Sequence, residues 1–318
     1  MVARVDHHPP GLPEAESGAR YSFAADVDQM RHALADADVM FAWNYANGKI
    51  FEETFGAAQR LQWIHTAGVG VEPLLFAELV ASDVVITNAG GVYEQTMAEY
   101  AVMLMLQIAK DAVRTWTDQR EHRWNRRRTD TLQGRTVLVV GAGAIGHAIA
   151  RLARALDMVT IGVARSHRTA EADFEVVHAT SELQTVVGAA DYVVLIVPLT
   201  PGTSRLIDAG ILARMKPTAW LINLGRGGLV DEAALLHALR EKQIAGAALD
   251  VYWEEPLAPD HPLWDMPNVI VSPHMSGDVA DTHKRFVQSF LANLERWQKG
   301  LPLRHVVDKS LGFRARMD

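Results

Sequence analysis

The sequence predicts an α/β protein built on parallel sheets, and three observations carry the prediction. With 318 residues, 49% of them hydrophobic and 22% charged, the chain can bury a large core and reads as two domains rather than one. From Tyr21 onward, apolar runs of strand length alternate with segments of helical period. The run V-L-V-V at 137–140 leads into Gly141, Gly143 and Gly146 at G-x-G-x-x-G spacing, and then into a helical stretch, 144–157, with Ile145, Ala148, Ile149, Leu152 and Leu156 on one side. A strand, a tight turn and a helix in that order suit a dinucleotide pyrophosphate. Gly141 permits the turn, Gly143 lets phosphates approach the backbone, Gly146 lets helix and strand pack closely, and the helix N-terminus faces the anion.

Residues 1–20 are rich in proline, glycine and charge and show no strand; His7 and His8 have no second cluster to make a metal site and read as surface loop. Residues 21–24 read as a short strand, 27–35 as a helix, 39–43 as a strand, 51–55 as a helical turn, and 61–65 as a strand entering T-A-G-V-G-V. A short helix from Glu72 and a strand at 84–87 complete a small parallel sheet with helices on its faces. Thr96-Met-Ala-Glu99 has the form of a capping box and starts a long helix ending near Thr115, apolar nearly all round and therefore buried. Its apolar window is broken by Glu99, Gln107 and Lys110 and falls short of a membrane span. The basic run R-E-H-R-W-N-R-R-R at 120–128 reads as a solvated connection.

Beyond the glycine turn, strands are expected at 159–163, 174–177, 192–197 (stopped by Pro198), 220–223, 246–249 and 269–271. Helices are expected at 181–189 behind an S-x-x-Q capping box, at 209–215, and at 232–241 behind Asp231 as cap, with a final amphipathic helix at 281–298. The formal net charge of −7 disfavours a sequence-independent nucleic-acid or membrane-surface binder. There is no cysteine, which excludes disulfides, thiolate metal sites and cysteine nucleophiles; together with the lack of a signal-peptide pattern this leads us to expect a cytoplasmic protein.

Three late loops deliver ionisable residues to the carboxyl edge of the sheet, where ligands of open α/β sheets bind. N-L-G-R-G-G carries Arg226, whose planar fork suits a carboxylate; L-D-V-Y-W-E-E-P carries Asp250 and Glu255; S-P-H-M-S-G carries His274. Singly they read as a surface ion pair, a solvated acid and a hydrogen-bonded loop histidine. On consecutive strand ends beside a dinucleotide site they read jointly as an acid/base pair with an anion clamp. The glycines Gly68 and Gly70 also follow a strand, where backbone N–H groups either hold a carboxylate or make a plain turn.

These motifs, with T-N-A-G-G-V-Y-E-Q-T-M-A-E and P-L-T-P-G-T, make the chain resemble the D-isomer-specific 2-hydroxyacid dehydrogenase family over nearly its whole length. The resemblance implies a Rossmann-like doubly wound parallel sheet for the cofactor and a smaller flavodoxin-like parallel sheet for the substrate, with the active site in the cleft. Residues 1–98 and 285–318 would form the substrate lobe and 99–284 the dinucleotide-binding lobe, which would also make a homodimer. It further implies that Arg226 and the backbone amides of Val69 and Gly70 hold the substrate carboxylate. His274 becomes the general acid/base with Glu255 as partner, and Asp250 contacts the nicotinamide carboxamide. Cofactor contacts are implied at Gly141, Gly143, Ala144, Ile145 and Gly146, at Pro198 and Thr203, at Thr96 and at His274. No metal is required. Trp43, Asn44 and Tyr45 are candidates for the substrate pocket, though aromatic residues at a strand end are more often core.

Cofactor choice is read from V-T-I-G-V-A-R-S-H-R at 159–168. An NAD site of this type ends its second strand in Asp or Glu, but no carboxylate occurs between Asp157 and Glu171. Arg165, Ser166 and Arg168 stand there instead, which predicts NADP as cofactor with NAD less favoured. The expected activity is reduction of small 2-oxoacids, such as glyoxylate or hydroxypyruvate, to D-2-hydroxyacids. The alternatives are a non-enzymatic dinucleotide-sensing scaffold of corepressor type, or a dehydrogenase of the same fold acting on phosphoglycerate, phosphite or formate. Glu255 beside His274 stands against formate, for which the resemblance leads to a glutamine partner.

Overall fold

Strands that are apolar on both faces must be covered on both, and this chain builds two parallel sheets from such strands. The computed structural model describes residues 2–3, 9, 11–12, 19–43 and 48–313. The chain divides into one unit of Met1–Val92 with Val279–Asp318, and a second of Tyr93–Asp278.

In the first unit β1 (Val2–Ala3), β2 (Ser22–Phe23), α1 (Val27–Leu34), β3 (Val39–Ala42), α2 (Gly48–Thr54), β4 (Trp63–Thr66), α3 (Ala77–Ala81) and β5 (Val85–Thr87) follow in sequence. The strands lie parallel in the order β2-β1-β3-β4-β5. Every residue of β3 and β4 is buried. Asp26 starts α1 by accepting from the Gln29 N–H. The expectation of no strand before residue 20 is corrected: β1 lies between β2 and β3. Two residues are too few to display an alternation, so backbone pairing alone defines that strand. The segment from Glu72 is a 3-10 turn, Glu72–Leu74. Trp43 packs against Phe41, His283 and Phe286. Asn44, Tyr45, His7 and His8 lie outside the described residues.

His65, in β4, is fully buried among the rings of Phe41, Trp63 and Phe290. Its Nδ1 lies 2.8 Å from Thr87 Oγ1, which also accepts from the Trp63 indole. Burial, aided by His305, pushes the imidazole down from 6.5 to about 3. Between those values the unfolded chain binds a proton that the folded chain refuses. Stability therefore falls with pH in that window, by about 1.4 kcal/mol per pH unit from this group. Urea unfolding should accordingly show a steeper loss from pH 6.5 to 5 in the wild type than in His65→Asn, which keeps a polar atom near the Nδ1 position. Equal slopes would remove His65 as the cause.

The second unit comprises α4 (Glu94–Ala109), α5 (Ala112–Arg120), β6 (Thr136–Val140), α6 (Ala144–Arg154), β7 (Val159–Ala164), β8 (Arg168–Glu171), β9 (Phe174–Ala179), α7 (Leu183–Val186), β10 (Tyr192–Leu195), α8 (Ala209–Leu212), β11 (Trp220–Asn223), α9 (Glu232–Arg240), β12 (Gly246–Leu249) and β13 (Val269–Val271). Sheet order is β13-β12-β11-β10-β6-β7-β9-β8, parallel except for the β8–β9 hairpin. From β6 the chain runs outward on one side through β7 and then returns to pair β10 on the other. The strand order therefore reverses between β6 and β10, the place at which open α/β sheets in general bind their ligands.

Several expected elements are corrected here. The long helix starts at Glu94 with Tyr93 as cap; Thr96 lies inside it and donates its hydroxyl to the Tyr93 carbonyl. The helix stops at Lys110, and Asp111, at φ 49°, turns the chain into α5. It is not buried all round, because Met103 and Leu106 on α4 and Val113 and Trp116 on α5 are exposed. The 181–189 helix is α7 between two 3-10 turns, and its start is held by Glu182, which accepts from the Ala179 N–H. α6 and α8 end earlier than expected, and β8 was not anticipated. The basic run after α5 is mostly exposed, although Arg123 and Arg127 are tied to Asp118. Among the described residues no helix is long and apolar enough to cross a membrane.

Candidate functional site

The glycine turn is shaped by contacts that exclude side chains. Gly141 has φ 122°, and a Cβ there would stand 2.6 Å from the Ile196 carbonyl oxygen at the end of β10. A Cβ on Gly146 would stand 1.9 Å from the Gly141 carbonyl oxygen, so helix and strand meet only through hydrogen. Gly143 differs: no heavy atom lies within 4 Å of where its Cβ would be. It is the N-cap of α6 and offers no side-chain cap, which leaves the first-turn N–H groups, beginning with Ala144 and Ile145, turned to an open approach. That combination fits a dinucleotide pyrophosphate. Thr203 folds the loop after β10, donating to the Pro198 carbonyl at 2.7 Å and accepting from the Thr200 N–H at 2.8 Å.

The turn is also tied to β7, since Gly141 and Ala142 N–H both donate to the Val163 carbonyl. Past the end of β7, Arg165 and Ser166 are exposed. Arg168, first residue of β8, places Nη2 3.4 Å from the Ala142 carbonyl oxygen. Arginine therefore borders the glycine turn on the side where the second strand ends.

Three further loops converge by the end of the sheet. After β11, the Asn223 side chain accepts from the Gly225 N–H and donates to the Arg226 carbonyl. A Cβ on Gly227 would stand 2.0 Å from the Tyr252 carbonyl carbon, which fixes the path of the loop. Arg226 is half-buried in extended backbone, with Nη1 donating to the Gly225 carbonyl at 2.8 Å. After β12, Glu255 accepts the Tyr252 N–H on Oε1, and its Oε2 lies 2.7 Å from His274 Nδ1 on the loop after β13. Both side chains remain partly exposed, so the pair is reachable from solvent.

Asp250 is fully buried, and its two oxygens accept from Ser272 Oγ at 2.7 Å, Met275 N–H at 3.0 Å and Ser276 N–H at 2.8 Å. It braces the His274 loop on both sides. The Tyr252 hydroxyl lies 2.7 Å from the Leu249 carbonyl and 2.9 Å from the Ser272 carbonyl, and it accepts the Ser272 N–H. Burial pushes this phenol far above its ordinary range, keeping it protonated. Tyr252, Ser272 and Asn223 were not singled out in the sequence, because their partners are separated along the chain or are backbone groups that leave no residue-type signal. In the first unit, Val69 accepts on its carbonyl from the Asn88 amide, and Thr66 donates its hydroxyl to Gly68, so the T-A-G-V-G-V loop is also braced.

Comparison with known proteins gives a consistent picture. The NAD-binding domain of the D-isomer specific 2-hydroxyacid dehydrogenases matches residues 102–276. A glyoxylate reductase of Thermofilum pendens is 34% identical over 282 residues, 86% of this chain and 82% of that protein. A D-3-phosphoglycerate dehydrogenase of Archaeoglobus fulgidus is 31% identical over 265 residues, 82% of this chain but 50% of that protein, so the chain spans about half the length of that relative. Among solved structures, an NADPH-dependent glyoxylate/hydroxypyruvate reductase of Sinorhizobium meliloti, in complex with NADP and sulfate, is 27% identical, with a TM-score of 0.82 over 98% of this chain and 99% of that one.

Proposed function

Because the chain belongs to the D-isomer specific 2-hydroxyacid dehydrogenase family, we propose that it reduces small 2-oxoacids of the glyoxylate or hydroxypyruvate kind to D-2-hydroxyacids, with NADPH preferred over NADH. The observation that carries this reading is the 2.7 Å contact of His274 with Glu255 on the two loops that follow β12 and β13. The nicotinamide cofactor, when bound, supplies the hydride. His274 supplies the proton: with Nδ1 held by Glu255, Nε2 is the atom that donates to the substrate carbonyl oxygen. Arg226 clamps the substrate carboxylate and polarises the adjoining carbonyl, and the amides of Val69 and Gly70 serve as further carboxylate contacts. Asp250 and Tyr252 act by positioning the His274 loop, and a nicotinamide contact from Asp250 belongs to this same proposal.

The NADPH preference is supported by Arg165 and Ser166 beyond β7 and by the reach of Arg168 to Ala142. A charged hydrogen bond contributes about 1.5–3 kcal/mol, so one arginine contact to a 2′-phosphate favours NADPH by roughly tenfold or more. A homodimer through the second unit is supported by the exposed Met103, Leu106, Val113 and Trp116, and a cytoplasmic location is part of the same reading. The test is steady-state turnover on a panel of glyoxylate, hydroxypyruvate, 3-phosphohydroxypyruvate, formate and phosphite with either cofactor. We expect the first two to be used, kcat/KM to be at least tenfold higher with NADPH, and that difference to collapse in Arg165→Ala. Tight dinucleotide binding without any turnover would instead support a sensing scaffold, and an NADH preference would mean that the loop does not meet the ribose.

A further inference from the structure

The β8–β9 hairpin pairs Arg168 with Val177 in antiparallel register. One step further out, the same ladder sets His167 opposite His178. Glu182 closes the 3-10 turn that follows β9 and folds back on the pair. Its Oε2 lies 3.2 Å from His167 Nδ1 and its Oε1 lies 3.7 Å from His178 Nδ1. One ligand atom from each of the three residues falls within 4.8 Å of the others. The two imidazole rings meet edge to face with centroids 5.5 Å apart.

An ordinary ion pair accounts for part of this. His167 and the Ala179 N–H both engage Glu182, and the backbone bond first, then His167, holds its carboxyl below the usual carboxylate range. It does not account for His178. Its Nδ1 is buried without a hydrogen-bond partner, aimed at a carboxylate oxygen too distant to bond. A buried nitrogen left without a partner is destabilising, because its desolvation is not offset by a bond.

We propose that His167, His178 and Glu182 form a divalent transition-metal site at the end of β9, with His167 in the β7–β8 turn that also carries Arg165 and Ser166, and on different loops from Arg226, Glu255 and His274. Tetrahedral coordination at 2.0–2.1 Å spaces ligand atoms about 3.3 Å apart; the contacts of 3.2 and 3.7 Å involve different oxygens of Glu182, and with one oxygen as ligand the three atoms start from within 4.8 Å of one another. Two imidazoles and one carboxylate select zinc, cobalt or nickel over magnesium or calcium, which take oxygen ligands. Water completes the shell. The ion occupies the lone pair of His178 and fastens the β7–β8 turn to the end of β9.

The test uses the full chain titrated with cobalt(II), read by the visible absorption of a four-coordinate ion, and with zinc(II) by calorimetry and by competition against cobalt. We expect one ion per chain, an intense tetrahedral cobalt spectrum displaced by zinc, and affinity that falls as pH drops, because imidazole must lose its proton to ligate. His178→Ala should weaken binding by at least tenfold. His167→Ala, at an exposed position, should do the same with unchanged circular dichroism, which separates ligand loss from unfolding. Absence of a saturable cobalt spectrum in the wild type, or undiminished affinity in His167→Ala, would overturn the site.

Discussion

His274→Ala is expected to lower kcat and kcat/KM together by about 100- to 10,000-fold, the range that a positioned general acid contributes. Both constants fall because the proton is shared with the carbonyl oxygen mainly in the transition state, so losing it takes little from ground-state binding. The surrounding loop should survive the change. Asp250 holds Met275 and Ser276 by their N–H groups and Ser272 by its hydroxyl, and Tyr252 holds the Ser272 backbone; none of these bonds uses the imidazole. His274 has a left-handed backbone, φ 51°, which alanine tolerates less well than asparagine. His274→Asn is therefore the companion variant, and it should be impaired to a similar degree. Stopped-flow measurement with glyoxylate would separate hydride transfer from product release, and a kcat near that of the wild type in both variants would remove His274 from the chemistry.

Where a strand is a continuous apolar run, its position could be read from residue types alone: β11, β12 and β13 fall on the residues expected. Burial on both faces leaves no other place for such a run. β1 and β8 could not be read in this way. β1 has two residues, and β8, R-T-A-E, is polar and defined by its hairpin partner β9 rather than by its own composition. The start of α4 misled for a different reason. Thr96 and Glu99 have the spacing of a capping box, yet Gly91 at φ 91° turns the chain early enough for Tyr93 to cap the helix and leave Thr96 in its first turn. Hydrophobicity also overstated burial of that helix, because composition counts apolar residues without saying what covers them.

The site divides similarly. Arg226, Glu255 and His274 are conspicuous as residue types on strand-end loops, and the structure joins the last two directly. What holds them was hidden, since Asp250 meets Ser272 and Ser276 across more than twenty residues and Asn223 works through backbone groups. The histidine pair beside Glu182 was hidden by the same gap as β8: until the hairpin is known, His167 and His178 are two unrelated polar residues.

Arg226→Lys should cost roughly 10- to 150-fold in kcat/KM for a 2-oxoacid, equivalent to about 1.5–3 kcal/mol for one charged hydrogen bond, even though the charge is kept. The arginine side chain anchors itself by donating to the Gly225 carbonyl while its planar fork remains suited to a carboxylate. A lysine ammonium is a point charge and cannot reproduce that anchor and two parallel donors together. The loop gives it little help, because Gly225 and Gly227 are closely packed against Leu229 and the Tyr252 backbone and Asn223 pins the chain on either side. Comparing a 2-oxoacid with its neutral ester tests carboxylate recognition specifically. The wild type should prefer the acid strongly, and Arg226→Lys should lose most of that preference while its activity on the ester changes little. If the preference for the acid were undiminished in the variant, the carboxylate would have to be recognised by another group.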